Sequence, residues 1–381
     1  MFSKDLKYQV CERCIMDTTA DEIIFDYNGI CNYCSDFLVR EKKFKKEQKD
    51  LRELLERIKL EGKNKKYDCI VGVSGGIDSS YSLMLAVENG LRPLAVHMDN
   101  GWNSELAQNN ISNLIHALKV DLHTHVINWQ EYKNFQEAFL KANVIDVELL
   151  YDNAMLAVNY QLANKFGIKY ILSGTNTSTE GFAIPKNWSW FKNDAKNIKS
   201  IGLKFSKQKV KTFPTFGTLN FIYYELIKKI KWVLFLDYFD YNKKNALYEL
   251  KKKCNYKPYP YKHYESIFTR FYQGYILPQK FGIDKRKLHL SNLIMTNQMS
   301  RNQALITMQQ PTYPDLQDQE ADINFFFKKM DWDLEKLSIY IKEKEVRHDF
   351  YGSEKKFWDN LNFIYKIIKF FFKRTDASLF K

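Results

Sequence analysis

Apolar positions along the chain follow two regimes. Between Tyr67 and about Gly181, short apolar runs alternate with longer stretches of helical spacing. Residues 68–73 (DCIVGV), 92–98 (RPLAVHM), 122–127 and 169–173 (KYILS) read as strands, the first of them buried. Residues 78–89, 104–119, 131–141 and 148–166 read as the helices between and after them. Strands separated by helices of this length need crossover connections, which predicts an α/β fold with a parallel, doubly wound sheet. Ahead of it, 37–66 is charged and carries Phe44, Leu51, Leu54, Leu55 and Ile58 at helical spacing, so a linking helix is expected. After Gly181 the strand signals fade. Residues 186–216 are polar and aromatic, with Pro185 and Pro214 as breakers, and helices are expected at 219–236, 243–254, 261–276, 282–297 and 300–308. The resulting parts are 1–36, 37–66, 67–185 and a mostly helical substrate or partner domain over 186–381.

Composition narrows the class. With 45% apolar and 27% charged residues in 381, the chain has the make-up of a folded protein with a sizeable core, and bulk disorder is excluded. Fifty-eight Lys and Arg against 45 Asp and Glu leave +13, which suits nucleic acid, anionic lipid or a polyphosphate, and equally a set of solvated lysine-rich helices. The apolar stretch 219–241 is interrupted by Glu225, Lys228, Lys229, Lys231 and Asp237, so no spanning helix is expected. The start shows no export signal, and a cytoplasmic location is expected. The aromatic, basic stretch 358–373 is expected to pack on another helix, with membrane contact at most peripheral.

Four of the six cysteines, Cys11, Cys14, Cys31 and Cys34, form C-x2-C-x16-C-x2-C, a zinc-ribbon spacing in which two knuckles supply four thiolates. Paired disulfides, a redox dithiol and an iron–sulfur cluster are the alternatives; structural zinc is the expectation, because four filled positions leave none open for catalysis. Cys69 and Cys254 read as inert.

The sharpest chemical signal is Val73-Ser74-Gly75-Gly76-Ile77-Asp78-Ser79-Ser80, directly after a buried strand and opening a helix. Two glycines allow a tight turn that brings N–H groups to an anion, and the helix N-terminus adds partial positive charge. Ser74, Ser79 and Ser80 add hydroxyls, and Asp78 suits either a helix cap or a magnesium ligand. The segment resembles the SGGxDS pyrophosphate loop (PP-loop) of the N-type ATP pyrophosphatases. That resemblance implies transfer of AMP to a substrate oxygen, with ATP and Mg2+ as cofactors. It also implies that His97 and Asp99, at the end of the second strand, lie beside the base, and that Gly174, Thr175 and Asn176, at the end of the fourth, reach the phosphates.

Nearly the whole chain resembles a narrower family, the N-acetyl sugar amidotransferases of surface-polysaccharide biosynthesis. The likeness rests on Cys11-Glu-Arg-Cys14-Ile-Met-Asp17-Thr18-Thr19, Gly29-Ile-Cys31-Asn-Tyr-Cys34 and the loop. It is densest in Tyr261-Lys262-His263-Tyr264-Glu265-Ser266, Thr269-Arg270-Phe271, Pro278-Gln-Lys280-Phe281-Gly282-Ile-Asp284-Lys285-Arg286, His289-Leu-Ser291 and Ser300-Arg301. It implies conversion of the acetamido group of a nucleotide-linked sugar to an acetamidino group. Ammonia would come from glutamine through a separate glutaminase subunit, similar to that of imidazole glycerol phosphate synthase, with that system's cyclase-like subunit as a further candidate partner.

Within this reading, Lys262, Arg270, Lys280, Lys285 and Arg286, interleaved with aromatic residues, form a cationic patch for a nucleotide sugar. Lys262 and Lys285 or Arg286 are expected on the ATP phosphates, and Glu265 and His263 are candidates for handling protons of attacking ammonia. A helix face with core aromatics is the plainer reading of the same residues. The competing functions are a tRNA-modifying, thiolation-type enzyme and a non-catalytic zinc-ribbon scaffold. The two free cysteines lie far apart in sequence, which disfavours sulfur transfer, and no nucleic acid partner is expected.

Overall fold

Side chains of the central strands alternate between two separate cores, and this makes the sheet doubly wound. The structure, a computed structural model, describes residues 7–44, 48–206, 211–259, 264–313 and 315–361. Along β1 (Cys69–Gly72), Ile70 enters one core while Cys69 and Val71 enter the other. Along β2 (Pro93–Asp99), Leu94, Val96 and Met98 take the first face and Ala95 the second. The first core is closed by α1 (Asn32–Phe44), α5 (Trp129–Lys141), α6 (Leu149–Lys165) and α8 (Ala195–Phe205). The second is closed by α2 (Gln48–Gly62), α3 (Ile77–Glu88), α4 (Glu105–Leu118) and α10 (Lys243–Cys254).

With β3 (Asp121–Val126), β4 (Tyr170–Ser173) and β5 (Lys231–Leu234), the sheet runs β3-β2-β1-β4-β5, every pair parallel. The chain winds outward from β1 through β2 and β3, then returns to the other side at β4. The carboxyl ends of β1 and β4 therefore flank the crevice where open parallel sheets take their ligands.

The fifth strand corrects the expected helix over 219–236. That stretch is α9 (Thr218–Phe221), extended by wider-wound turns over Ile222–Ile227, and then β5, whose Lys231 N–H donates to the Lys169 carbonyl at 2.8 Å. The helical spacing of IYYELIKKI runs straight into KWVL, and the open edge of β4 turns those last residues into a strand: tertiary pairing overrides local pattern. The expected helix over 261–276 also starts later. α11 (Ile267–Phe271) is capped by Ser266, which accepts from the Thr269 N–H at 3.3 Å, and continues as a π-wound segment over Tyr272–Phe281. α12 (Arg286–Met295), α13 (Arg301–Gln309), α14 (Leu316–Met330) and α15 (Leu334–Lys342) follow.

Among the described residues no helix is long and apolar enough to cross a membrane. Of the aromatic tail, Trp358 packs edge-on against Phe221 and donates to the Thr218 hydroxyl at 2.9 Å; 362–373 lie outside the described residues.

A buried ionic cluster fastens the segment before α8. Asp146 accepts from the Lys192 ammonium and from the Trp190 N–H, both at 2.7 Å. The Asp146 N–H in turn donates to Nε2 of buried His348 at 3.1 Å, and His348 Nδ1 faces Asn197 Oδ1 at 2.8 Å. This pattern fixes the neutral, Nδ1-protonated imidazole. Burial pushes the His348 pKa down to about 4, with Lys192 adding to the effect and Asp146 and Asp349 opposing it. A group depressed in the fold contributes stability above its unfolded pKa and loses it as pH falls through the folded one. Stability of about 3 kcal/mol should therefore drain between pH about 6.5 and 4 as His348 is forced to take a proton on Nε2. Urea titrations across that window should show the slope in the wild type and lack it in His348→Gln.

Candidate active site and metal centre

Gly75 and Gly76 lie where β1 ends and α3 begins, at the crevice between β1 and β4. Gly75 has φ +84, and a Cβ placed there would stand 2.9 Å from the Ala107 carbonyl oxygen. Only glycine fits, both for conformation and for space. Its carbonyl is gripped from one side by two phenols: Tyr256 donates at 2.8 Å and Tyr259 at 2.9 Å. A peptide carbonyl and the following N–H point in opposite directions, so this grip turns the Gly76 N–H away from the tyrosines, toward Ser74 Oγ at 3.3 Å. Ser74 Oγ and Ser79 Oγ stand 3.1 Å apart across the turn. The first turn of α3 presents its N–H groups here, and no side chain caps it. Gly75→Ala should displace the turn and weaken binding of ATP about five- to 150-fold, for a strain of about 1–3 kcal/mol, while the far-UV spectrum stays unchanged; calorimetric titration with ATP checks it.

Asp78 does not cap α3. Its carboxylate is held by two hydroxyls, from Tyr241 and, at 3.1 Å, from Thr179 on α7 (Thr177–Glu180). Glu265 arrives from the far end of the sequence. Its backbone carbonyl accepts from the Ser104 N–H at 2.9 Å, and its Oε1 lies 2.7 Å from the point where a Gly76 Cβ would sit. Two carboxylates, 187 positions apart in the chain, thus meet the same glycine turn.

The other expected loop residues divide. Ser74 and Thr175 are exposed, and Ser79 is half-buried. At Gly174 a Cβ would stand 2.7 Å from the backbone N of Ser79, so the end of β4 rests directly on the head of α3. Asn176 is buried and caps α7 by accepting from the Thr179 N–H at 2.9 Å. Ser80 is a correction. It is fully buried on the inner face of α3, because position 80 faces the sheet, and its side chain cannot reach a ligand. His97 is a second correction. It is buried, with Nδ1 2.9 Å from the Val73 carbonyl and Nε2 3.0 Å from Asn103 Nδ2, so both ring nitrogens brace the loop from behind. Asp99 continues that brace, accepting from Asn103 at 3.1 Å and from the Gly101 N–H at 2.8 Å.

The cationic patch is the largest correction. Arg270 makes a bidentate pair with buried Asp322, which also accepts from the Tyr313 hydroxyl at 2.8 Å. Lys280 donates to the carbonyls of Tyr340 and Glu343, and burial pushes its pKa down to about 8. Lys285 pairs with Glu148 at 3.0 Å, and Arg286 pairs with Asp284 at 2.7 Å. Phe271 and Tyr272 are core residues. Arg270 and Lys285 are neutralised by acids far away in sequence, Arg286 by its near neighbour Asp284, and Lys280 is held by two backbone carbonyls, so the plainer reading accounts for the described members. Lys262 and His263 lie outside the described residues. The tyrosines of 241–259 and Asn103 were not singled out by sequence reasoning; the dense tyrosine run YKPYPYKHY was the one visible hint.

Cys11, Cys14, Cys31 and Cys34 are fully buried, with their sulfurs within 4.8 Å of one another. Cys14 and Cys31 are 3.7 Å apart, Cys31 and Cys34 3.7 Å, and Cys11 and Cys34 3.9 Å. A tetrahedron of thiolates at zinc–sulfur bonds of about 2.3 Å has edges of about 3.8 Å. The donor set thus fits one tetrahedral ion. The separations are too long for disulfides and too short to enclose several irons. Backbone N–H groups of Cys14 at 3.4 Å and Cys31 at 3.2 Å point at Cys11 Sγ and favour its charged form. Cys34 lies on the first turn of α1, so the second knuckle is continuous with a core helix. Burial pushes the thiols of Cys69 and Cys254 up, away from thiolate reactivity.

Comparison with known proteins gives two family matches. The model of "LPS biosynthesis protein WbpG-like, C-terminal domain" matches residues 265–378, and that of NAD synthase matches 49–183. No curated protein matches the chain. Among solved structures, NMN synthetase from Francisella tularensis is 13% identical, with 77% of this chain and 97% of that one covered, at a TM-score of 0.34. NH3-dependent NAD synthetase from Campylobacter jejuni is 14% identical, with coverage of 56% and 93%, at 0.28. A predicted subunit of tRNA methyltransferase from Methanocaldococcus jannaschii is 12% identical, with coverage of 48% and 74%, also at 0.28. Scores this low carry no functional argument. The glycine turn and its Asp78 fall inside the NAD synthase match and Glu265 opens the WbpG-like one, so the two matched segments, one similar to NAD synthase and one to the C-terminal domain of WbpG-like LPS biosynthesis proteins, meet at this turn.

Proposed function

We propose that this protein, an ATP-using enzyme of the amidotransferase type, acts on the acetamido group of a nucleotide-linked N-acetyl sugar for lipopolysaccharide biosynthesis. The amide oxygen attacks the α-phosphorus of ATP and pyrophosphate leaves, giving an O-adenylyl imidate. Ammonia then adds to the imidate carbon. The C–O bond breaks, AMP departs with the electron pair, a proton is lost and an acetamidine remains. An amide is a poor electrophile because its nitrogen donates into the carbonyl, and adenylation supplies the missing leaving group.

The observation that carries this reading is the meeting of Glu265, from the WbpG-like segment, with the anion-binding turn of the PP-loop segment. The α3 N-terminus and the Ser74 and Ser79 hydroxyls bind and orient the departing pyrophosphate, where charge accumulates. Asp78 and Glu265 would hold a magnesium ion, which supplies charge neutralisation on the phosphate oxygens. Glu265 also suits the removal of a proton from the attacking ammonia. The ion of the four-cysteine site is zinc, in a structural role. The ammonia comes from a separate glutaminase subunit; both free thiols are buried, so neither supplies the nucleophile glutamine hydrolysis requires. The same burial disfavours a thiolation enzyme, which needs an accessible thiolate.

Incubation with nucleotide N-acetyl sugars, ATP, magnesium and ammonium should yield pyrophosphate and a sugar lighter by about one dalton, oxygen replaced by NH. Tight, salt-sensitive tRNA binding with no sugar turnover would overturn the reading.

A further inference from the structure

One link between the metal module and the nucleotide turn runs through α12. On one side, α12 and the start of α13 hold the cysteine knuckles. The Ser291 hydroxyl accepts from the Ile15 N–H at 3.2 Å, and Lys287 pairs with fully buried Asp17. Arg301 donates to the carbonyls of two metal-site cysteines, Cys14 at 3.0 Å and Cys11 at 2.8 Å. On the other side, the next residue of α12, buried Asn292, reaches α7. Its Nδ2 donates to the Ser178 carbonyl at 2.8 Å, and its Oδ1 accepts from the Phe182 N–H at 2.9 Å. Thr296 at 3.1 Å and Gln298 at 3.0 Å converge on the same Ser178 carbonyl. One residue on, the Thr179 hydroxyl holds Asp78.

A four-residue helix has little stability of its own. α7 is a turn held in place from outside, and three of its external anchors sit at the end of the helix that clasps the metal site. We propose that Asn292 is a positioning residue through which the metal module fixes α7, and with it the Asp78 carboxylate at the nucleotide turn. The metal site is then coupled to ATP binding without touching ATP. This rests on the reading of the turn as the ATP site.

The test uses the full chain and a cycle of three variants: Asn292→Ala, Arg301→Gln and the double. Arg301→Gln loosens the clasp while leaving all four thiols, so the metal, verified by elemental analysis, stays bound and the module stays folded. The readouts are ATP·Mg affinity by calorimetry and hydrogen exchange of amides 174–181. Each single variant should weaken ATP binding about tenfold, a typical coupling between sites. Exchange at 174–181 should rise, and the double variant should lose no more than Asn292→Ala alone, because both act on one path. In turnover assays, KM for ATP should rise while KM for the sugar is unchanged, a split that general destabilisation would not produce. Additive losses, or ATP affinity unmoved by Asn292→Ala, overturn the proposal and leave the ATP site standing. A wild type that binds no ATP overturns both.

Discussion

Alanine at position 78 is expected to stop pyrophosphate release, lowering it on the order of 10³-fold, the scale seen when a preorganised charge-stabilising group is removed from a site. Asp78 sits at the head of α3 with its two oxygens fixed by Tyr241 and Thr179, so its charge is held in place before any ligand arrives. Truncation leaves the buried Tyr241 hydroxyl without that acceptor, at a stability loss of about 1–3 kcal/mol, which a fold of this size survives. Asp78→Asn separates the two effects. The amide oxygen still accepts from a hydroxyl and stability is largely retained, but the negative charge is gone and turnover should remain lost. Full pyrophosphate release from either variant, measured with enzyme shown to be folded, removes the loop from the mechanism.

The second large effect is at the cysteines. Serine at position 31 removes one of four buried thiolates and should leave the protein without bound metal. Structural zinc sites supply about 10–16 kcal/mol of apparent binding energy that is also folding energy. The loss should not stay within the first 36 residues. Asp17, paired with Lys287, and the Cys11 and Cys14 carbonyls, held by Arg301, tie the module to α12 and α13, and the four cysteines belong to the same buried cluster as α5 and α6. A large fall in melting temperature is expected, reproduced in the wild type by a strong chelator. Metal content equal to the wild type in Cys31→Ser would rule out the four-thiolate site.

The parts of the fold legible in the sequence are those whose chemistry is local. β1 and β2 are continuous apolar runs because helices cover both faces of a parallel sheet, and that burial writes itself into CIVG and PLAVHMD. The glycine turn is legible because the Gly75 backbone admits no other residue. The cysteine spacing is legible because a knuckle is built from neighbours. What the sequence hides is pairing between distant segments. β5 is a strand only because β4 offers an edge, and its own lysine-rich context reads as helix. The cations at 270, 280 and 285 look available until Asp322, the carbonyls of Tyr340 and Glu343, and Glu148 are folded against them. Ser80 and His97 lie in a motif and at a strand end that suggest ligand contact, yet the inward faces of α3 and β2 claim both. Glu265 was readable through its motif, but its place against Gly76 depends on the pairing of Asn103 with Ser266, which no local pattern announces.

The double tyrosine clasp on the Gly75 carbonyl carries a consequence for the proposed nucleotide site. A peptide pinned by Tyr256 and Tyr259 takes its shape when the chain folds, so an arriving triphosphate displaces solvent and meets a finished cradle. If ATP binds here, it would not have to wait for this peptide to rearrange, and its binding would not cost the entropy of ordering the turn.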